Sequence, residues 1–250
     1  MKVYRVVVPN DKLLGMPETE RVLLVQLGHL CNELSFFSKL SVFASDLNAG
    51  GMERYAMVTQ SMIITRVFIG KIFEAWRMME RDFFGSRLSR ELGPALSQDG
   101  KEALSKLKRY FGQSNLISTI RNTYSFHYGA DNIEATLRTL PTDKPLEMFL
   151  GENYSNTLHY FCEEIVSTAM LGAASETEPQ KAMDQIIGEL VEVSGYLIDF
   201  TGHTMAAIFE RHLGKSWEDF ETEDIEVDTP FSLEKFKIPF FIHRDGEDGT

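Results

Sequence analysis

A chain of 250 residues with 43% hydrophobic content has enough apolar material for one large domain or two small ones. Its formal charge of −12 excludes nonspecific duplex binding by the surface as a whole, because such binding runs on phosphate neutralisation by Lys and Arg. The most apolar run, Ser61 to Met79, is cut by Arg66, Lys71, Glu74 and Arg77, so none approaches the roughly 20 uninterrupted apolar residues of a membrane helix.

The chain begins MKVYRVVVPNDK, in which Val3–Val8 reads as a short strand or an extended arm over residues 1–16. The apolar cluster is too short for a signal sequence and has no small-residue cleavage site, so a cytoplasmic address is expected. Pro17 and Glu18 suit a first helical turn, where proline is tolerated and acids are favoured. Val22, Leu23, Leu27, Leu30, Leu34, Phe37 and Leu40 then recur at spacings of three and four, which predicts a helix over 18–46 stopped by Asn48-Ala-Gly-Gly. Met57, Ile64, Phe68, Ile72, Trp76, Met79 and Phe83 predict a second helix over 53–84. Two long helices joined by a short loop make an antiparallel hairpin, and their Met and aromatic stripe is core.

The polar stretch Ser86–Gly100, with Gly93 and Pro94, reads as a connector. Ser97 or Asp99 caps a basic helix to about Tyr110, Gly112 ends it, and Ser114 caps the next, which carries IRNTYSFHYG at residues 120–129. Gly129 is a stop, and Asp131 with Glu134 resembles a capping box for a helix to about Leu140. After Pro141 and Pro145, helices are predicted over 156–171 and from Thr177-Glu-Pro-Gln180 to about His212. Beyond Gly214, Trp217–Phe220 is expected to form one turn, Ile225–Ile242 to lie across the bundle, and the terminal RDGEDGT to be disordered. Ser216–Thr250 carries eleven acids against three bases, a net of 3 − 11 = −8. The expected fold is all-α: one helical domain over 17–214 on a long antiparallel hairpin, then an acidic, partly disordered segment over 215–250.

Chemistry is constrained mainly by exclusion. Cys31 and Cys162 lie in helical apolar patterns and read as free buried thiols of a reducing compartment. Helical bundles hold metal pairs through Glu-x-x-His, but the residues three before the six histidines are Gln26, Tyr124, Asn156, Phe200, Phe209 and Phe240. No metal site is therefore expected, and His159 with Glu163 reads as a surface pair. The GxxxxGK[ST], GxGxxG and GxSxG patterns are missing, which argues against nucleotide hydrolysis, dinucleotide binding and esterase chemistry, and no cofactor is expected. His29, His203 and His212 receive no role, and Glu33, Lys39, Lys71 and Glu74 are flank charges.

The opposite charge balance occurs between residues 101 and 121, where Lys101, Lys106, Lys108, Arg109 and Arg121 face Glu102 alone. It is either a solvated helix face or a docking surface for a phosphate backbone. It leads directly into Arg121, Asn122 and His127, with five residues between the arginine and the histidine. In an all-helical chain this pattern resembles the HEPN superfamily, whose ribonucleases carry Arg-(x)4 to 6-His, often with a polar residue after the Arg.

The resemblance implies metal-independent endoribonuclease activity, with Arg121 and His127 catalytic and Asn122 supporting, and the charge balance then offers Lys101, Lys106, Lys108 and Arg109 as the RNA-binding residues. It also implies a homodimer, a toxin–antitoxin or antiviral setting, and an antitoxin or regulatory partner. The residue types suit that chemistry: an imidazole that exchanges protons near neutral pH and a permanently charged fork for phosphate. On an ideal helix Arg121 and His127 stand roughly 120° apart and about 9 Å along the axis. A bend or a second chain must bring them to one phosphate. Two alternatives stay open: a noncatalytic binding or scaffolding protein with an acidic recruiting tail, and a small-ligand sensor with a pocket among the Met and Phe side chains.

Overall fold

The hairpin expected from the apolar periodicity is the backbone of the fold. In the computed structural model, which describes residues 1–45, 49–126, 129–143, 145–215, 222–227 and 235–242, about 70% of the chain is helical. Strand β1 (Lys2–Val6) and the short helix α1 (Asn10–Gly15) precede α2 (Glu18–Phe43) and α3 (Gly51–Asp82). Gln26 pairs with Asp82, Glu33 with Lys71, and Ser61 with the Ala44 carbonyl. Rising numbers on α2 meet falling numbers on α3, the signature of an antiparallel pair. Of the described helices, α3 alone is long and apolar enough to cross a membrane, and half of its apolar window is buried within the fold.

The connector expected over 86–100 is instead helical: α4 (Arg87–Ala95) contains Pro94. Its cause is local and tertiary together. The Ser86 hydroxyl accepts the Ser89 N–H, and Leu88 and Leu92, spaced i and i+4, are buried. Pro94, in the last turn, has no N–H to give the Arg90 carbonyl, a loss the burial of Leu88 and Leu92 outweighs. Ser97 caps α5 (Gln98–Phe111) by accepting the Gly100 N–H at 3.1 Å, as expected. Asn115, not Ser114, caps α6 (Leu116–Ile120), its Oδ1 accepting the Ser118 N–H at 2.8 Å.

Helix α7 (Ala130–Thr139) starts one residue before Asp131, so no capping box forms and Gly129 holds the cap position with no side-chain bond. Then come α8 (Tyr160–Leu171), α9 (Pro179–Leu213) and strand β2 (Thr222–Glu226). Gly214, at φ 61°, ends α9 in the left-handed conformation that glycine adopts without steric cost. The expected turn at Trp217–Phe220 and the terminal RDGEDGT lie outside the described residues.

The chain divides into two compact units, each assembled from three separate segments. The first comprises Met1–Phe36, Lys71–Ser118 and Glu189–Ser232. Its core holds Leu23, Leu27, Leu34, Ile72, Met79, Phe83, Leu107 and Phe200, each worth roughly 1.5–3 kcal/mol of burial. Phe83 packs edge-on against Phe200, and Trp76 stacks on Phe111 with centroids 4.6 Å apart. Cys31 shares a hydrogen bond with Thr201, and the buried Glu20 meets His212 at 2.6 Å. In the same unit β1 and β2 pair antiparallel, Lys2 opposite Glu226 through Val6 opposite Thr222, with Lys2–Asp224 and Arg5–Glu223 ion pairs.

The second unit comprises Phe37–Gly70, Thr119–Gly188 and Leu233–Thr250. Phe68, Ile69, Ile120, Leu158, Ile165, Met170 and Ile186 are buried in it. Its described C-terminal stretch, 235–242, lies along the end of α2: Phe236 packs on Phe43, and the Ile238 N–H donates to the Phe43 carbonyl. Both cysteines are free thiols as expected, but neither is buried: Cys31 is half-buried and Cys162 is exposed at a cleft on α8.

Candidate functional site

The Arg-Asn part of the motif does not sit on an ordinary helix. After Ile120, which is fully buried, Arg121–Ser125 forms a single π-helical turn, and Phe126, at φ −130° and ψ 1°, leaves the helical region. Wide turns of this kind are rare and recur at functional sites. Arg121 is half-buried and Asn122 exposed, and the Arg121 Nη1 donates to the Asn122 Oδ1 at 3.1 Å. His127 lies outside the described residues.

The residues that follow Asn122 turn inward. Tyr124, Ser125 and Phe126 line a cleft of about 690 Å³ in the second unit, together with Thr59, Ile63, Arg66 and Val67 of α3, His159, Cys162 and Glu163 at the start of α8, and Phe240. The Phe126 ring lies over Gly70: a Cβ there would stand 2.3 Å from a ring carbon, so only glycine permits this approach. Burial pushes the Tyr124 phenol above its ordinary range.

Arg66 and Glu163 are the charges at the cleft. Arg66 Nη1 and Nη2 donate to the two oxygens of Glu163 at 2.6 and 2.9 Å, and the Ser167 hydroxyl donates to Glu163 Oε1 at 2.8 Å. The side chains are 11% and 13% exposed, so the pair is a desolvated, bidentate one that cancels its own charge. This corrects the sequence-based assignment of Glu163 to His159: Glu163 is held by Arg66, and His159 occupies the cap position of α8. Two other polar groups at the cleft have no such compensation. The hydroxyls of Thr59 and Ser125 are buried with no hydrogen-bond partner among the described residues.

The basic helix α5 belongs to the first unit, Arg121 and Asn122 to the second. Lys106 is engaged by Glu102 at 2.7 Å and stands 5.0 Å from the Tyr196 ring centroid; its pairing raises the lysine and lowers the carboxyl. Lys108 stands 5.1 Å from the Phe84 ring centroid, and Lys101 donates to the Pro94 carbonyl. Arg109 is exposed and makes no ion pair among the described residues. No group of three or more His, Cys, Asp or Glu among the described residues is arranged to hold a metal ion.

Sequence reasoning passed over Thr59 and Ser125, took Arg66 only as an interruption of an apolar run, and gave Glu163 to His159. One signal was available: Arg66 stands inside the apolar run Ile63–Ile69, where a charge must find a partner or a route to water. Comparison with known proteins found no family model, no curated protein and no solved structure that matches this chain.

Proposed function

We propose that this protein is a HEPN-like, metal-independent endoribonuclease acting in the cytoplasm as a homodimer. In this reading His127 takes the proton of a ribose 2′-hydroxyl, and the 2′-oxygen attacks the adjacent phosphorus. The 5′-oxygen leaves with a proton, giving a 2′,3′-cyclic phosphate and a free 5′-hydroxyl. Arg121 stabilises the charge that builds on the phosphoryl oxygens, and Asn122 fixes the guanidinium that does so. Lys101, Lys106, Lys108 and Arg109 supply phosphate contacts elsewhere along the strand. A toxin–antitoxin or antiviral setting, with an antitoxin or regulatory protein as partner, follows by analogy with the superfamily.

The observation that carries this reading is the π-helical turn: it bears Arg121 with Asn122 at its fork and continues directly into a nucleotide-sized cleft. The test is cleavage of a mixed pool of structured RNAs in EDTA by the wild type, Arg121→Ala and His127→Ala, with end-group analysis. Cyclic phosphate ends lost in both variants, at unchanged melting temperature, are expected. No cleavage by the folded dimer refutes the reading in favour of a noncatalytic binding protein.

A further inference from the structure

Residues 236–242, Phe-Lys-Ile-Pro-Phe-Phe-Ile, belong to no helix or strand, yet their backbone is bonded at every second residue from Ile238 onward. The Ile238 N–H donates to the Phe43 carbonyl at 3.2 Å. With its amide turned to satisfy both groups, Gln60 on α3 donates to the Ile238 carbonyl at 3.1 Å and accepts the Phe240 N–H at 3.3 Å. Asn156 acts alike at the far end: its Nδ2 donates to the Ile242 carbonyl at 2.8 Å, and its Oδ1 accepts the Ile242 N–H at 3.0 Å. A carboxamide carries a donor and an acceptor side by side, so each of the two matches a peptide edge as a residue of a neighbouring strand would. Pro239 falls between the bonded residues, where its missing N–H is not required, and it biases Ile238 away from helical conformation.

The seat is apolar and the fit is loose. The Phe236 ring meets Phe43 edge-on at 4.9 Å, and the Lys237 ammonium reaches the Ser45 carbonyl. Phe43, Ala44, Ala56 and Met57 line, together with the segment, a cavity of about 390 Å³ that the segment leaves unfilled. Phe236 and Ile242 stay 40% and 43% exposed, and no residue of 235–242 is buried. A stretch with few buried contacts and solvent-exposed hydrogen bonds belongs to the part of a protein that opens without global unfolding. We infer that Phe236–Ile242 is a detachable latch, seated in cis in a peptide-binding groove where Gln60 and Asn156 read the backbone of a short apolar peptide. The groove's occupant is the chain's own segment, and a free copy of that segment competes for the same seat. Phe240 also lines the cleft beside the motif, so a peptide that displaces the latch takes this ring out of the cleft wall. The inference stands apart from the ribonuclease reading and needs no RNA for its test.

The experiment uses the full-length chain and a fluorescein-labelled peptide with the sequence of residues 233–245, LEKFKIPFFIHRD. Fluorescence anisotropy reads its binding to the wild type, to Ile238→Asp/Phe240→Asp, whose own latch cannot seat, and to that variant carrying Gln60→Ala or Asn156→Ala as well. A tethered segment acts at an effective concentration on the order of millimolar, so the wild type should bind the peptide at least about tenfold more weakly than the latch variant. Removing either amide should then weaken the peptide about fivefold to a hundredfold, the range two neutral hydrogen bonds supply. Equal binding by wild type and latch variant overturns the proposal, as does binding indifferent to Gln60 and Asn156, or none by a latch variant that melts as wild type does. Should the latch variant not fold, hydrogen exchange followed by NMR on the wild type and Gln60→Ala decides. The Phe240 amide is expected to exchange faster than that of Ile69, fully buried on α3, and faster still in Gln60→Ala. Exchange as slow as at Ile69 makes the segment part of the core, and exchange unaffected by Gln60→Ala leaves it unheld; either result overturns the latch.

Discussion

Arg66→Met is the most informative single perturbation of the second unit. It deletes both guanidinium donors and leaves the Glu163 carboxylate, 13% exposed, with the Ser167 hydroxyl as its remaining side-chain donor among the described residues. Breaking a buried, bidentate pair from one side costs about 3–5 kcal/mol, because the surviving charge keeps its desolvation penalty and loses its compensation. For a chain of this length each kcal/mol moves the melting temperature by roughly 2–4 °C, so Arg66→Met should melt about 6–20 °C below wild type. The double variant Arg66→Met/Glu163→Leu replaces the pair with apolar groups of similar bulk and should recover most of that loss. The assay is a double-mutant cycle of thermal melts followed by circular dichroism at fixed pH and salt. If Arg66→Met melts within about 2 °C of wild type, or if the double variant is no more stable than the singles, the pair is solvated and the argument from burial fails.

Gly70→Ala should push the half-exposed Phe126 ring aside, and the gain in helix propensity should offset that displacement to within about 1 kcal/mol, whereas adding Gly70→Ala to Phe126→Ala, where no ring is displaced, should stabilise by about 1 kcal/mol; urea titrations of the two singles and the double check this. The hydrogen bond from Arg81, aided by Gln26, holds the Asp82 carboxyl below its ordinary range. A depressed folded value stabilises above the unfolded one, so this contribution is present above about pH 4 and lost as the pH falls through the folded value. Asp82→Asn should accordingly flatten the acid limb of stability against pH, and an unchanged limb contradicts the assignment. Ser97→Ala removes the acceptor of the Gly100 N–H and should cost about 1 kcal/mol in a denaturant titration, with Ser97→Asp retaining most of the wild-type stability.

The parts of this fold that follow from short-range rules were legible in the sequence. The hairpin of α2 and α3 announces itself through apolar spacing sustained over many turns, and the Ser97 cap through one residue type at one position. Helix α4 was hidden because Gly93 and Pro94 are read as breakers, whereas Leu88 and Leu92 gain more from burial than the breakers cost. The motif was visible, but its π-helical turn was not, since no local preference distinguishes a widened turn from an ordinary one. The cleft was least visible. Arg66 and Glu163 are 97 residues apart, and nothing short of the tertiary arrangement selects that glutamate over the neighbouring Glu164. Unpaired hydroxyls such as those of Thr59 and Ser125 are likewise defined by what surrounds them, which sequence spacing does not encode.

The threefold interleaving of the two units bears on how the protein is made and how it can be divided. Neither unit is a continuous length of chain, since residues 37–70 and 119–188 of one are spelled between the segments of the other. No single cut releases either intact, so neither can be lost, duplicated or grafted as a cassette. The first unit also lacks its third segment until residue 189 and beyond have been made. At typical synthesis rates, apolar faces of α2 and α3 therefore wait on the order of ten seconds for their partners in α9. Through that interval the hairpin must be shielded by its own two helices or by a chaperone.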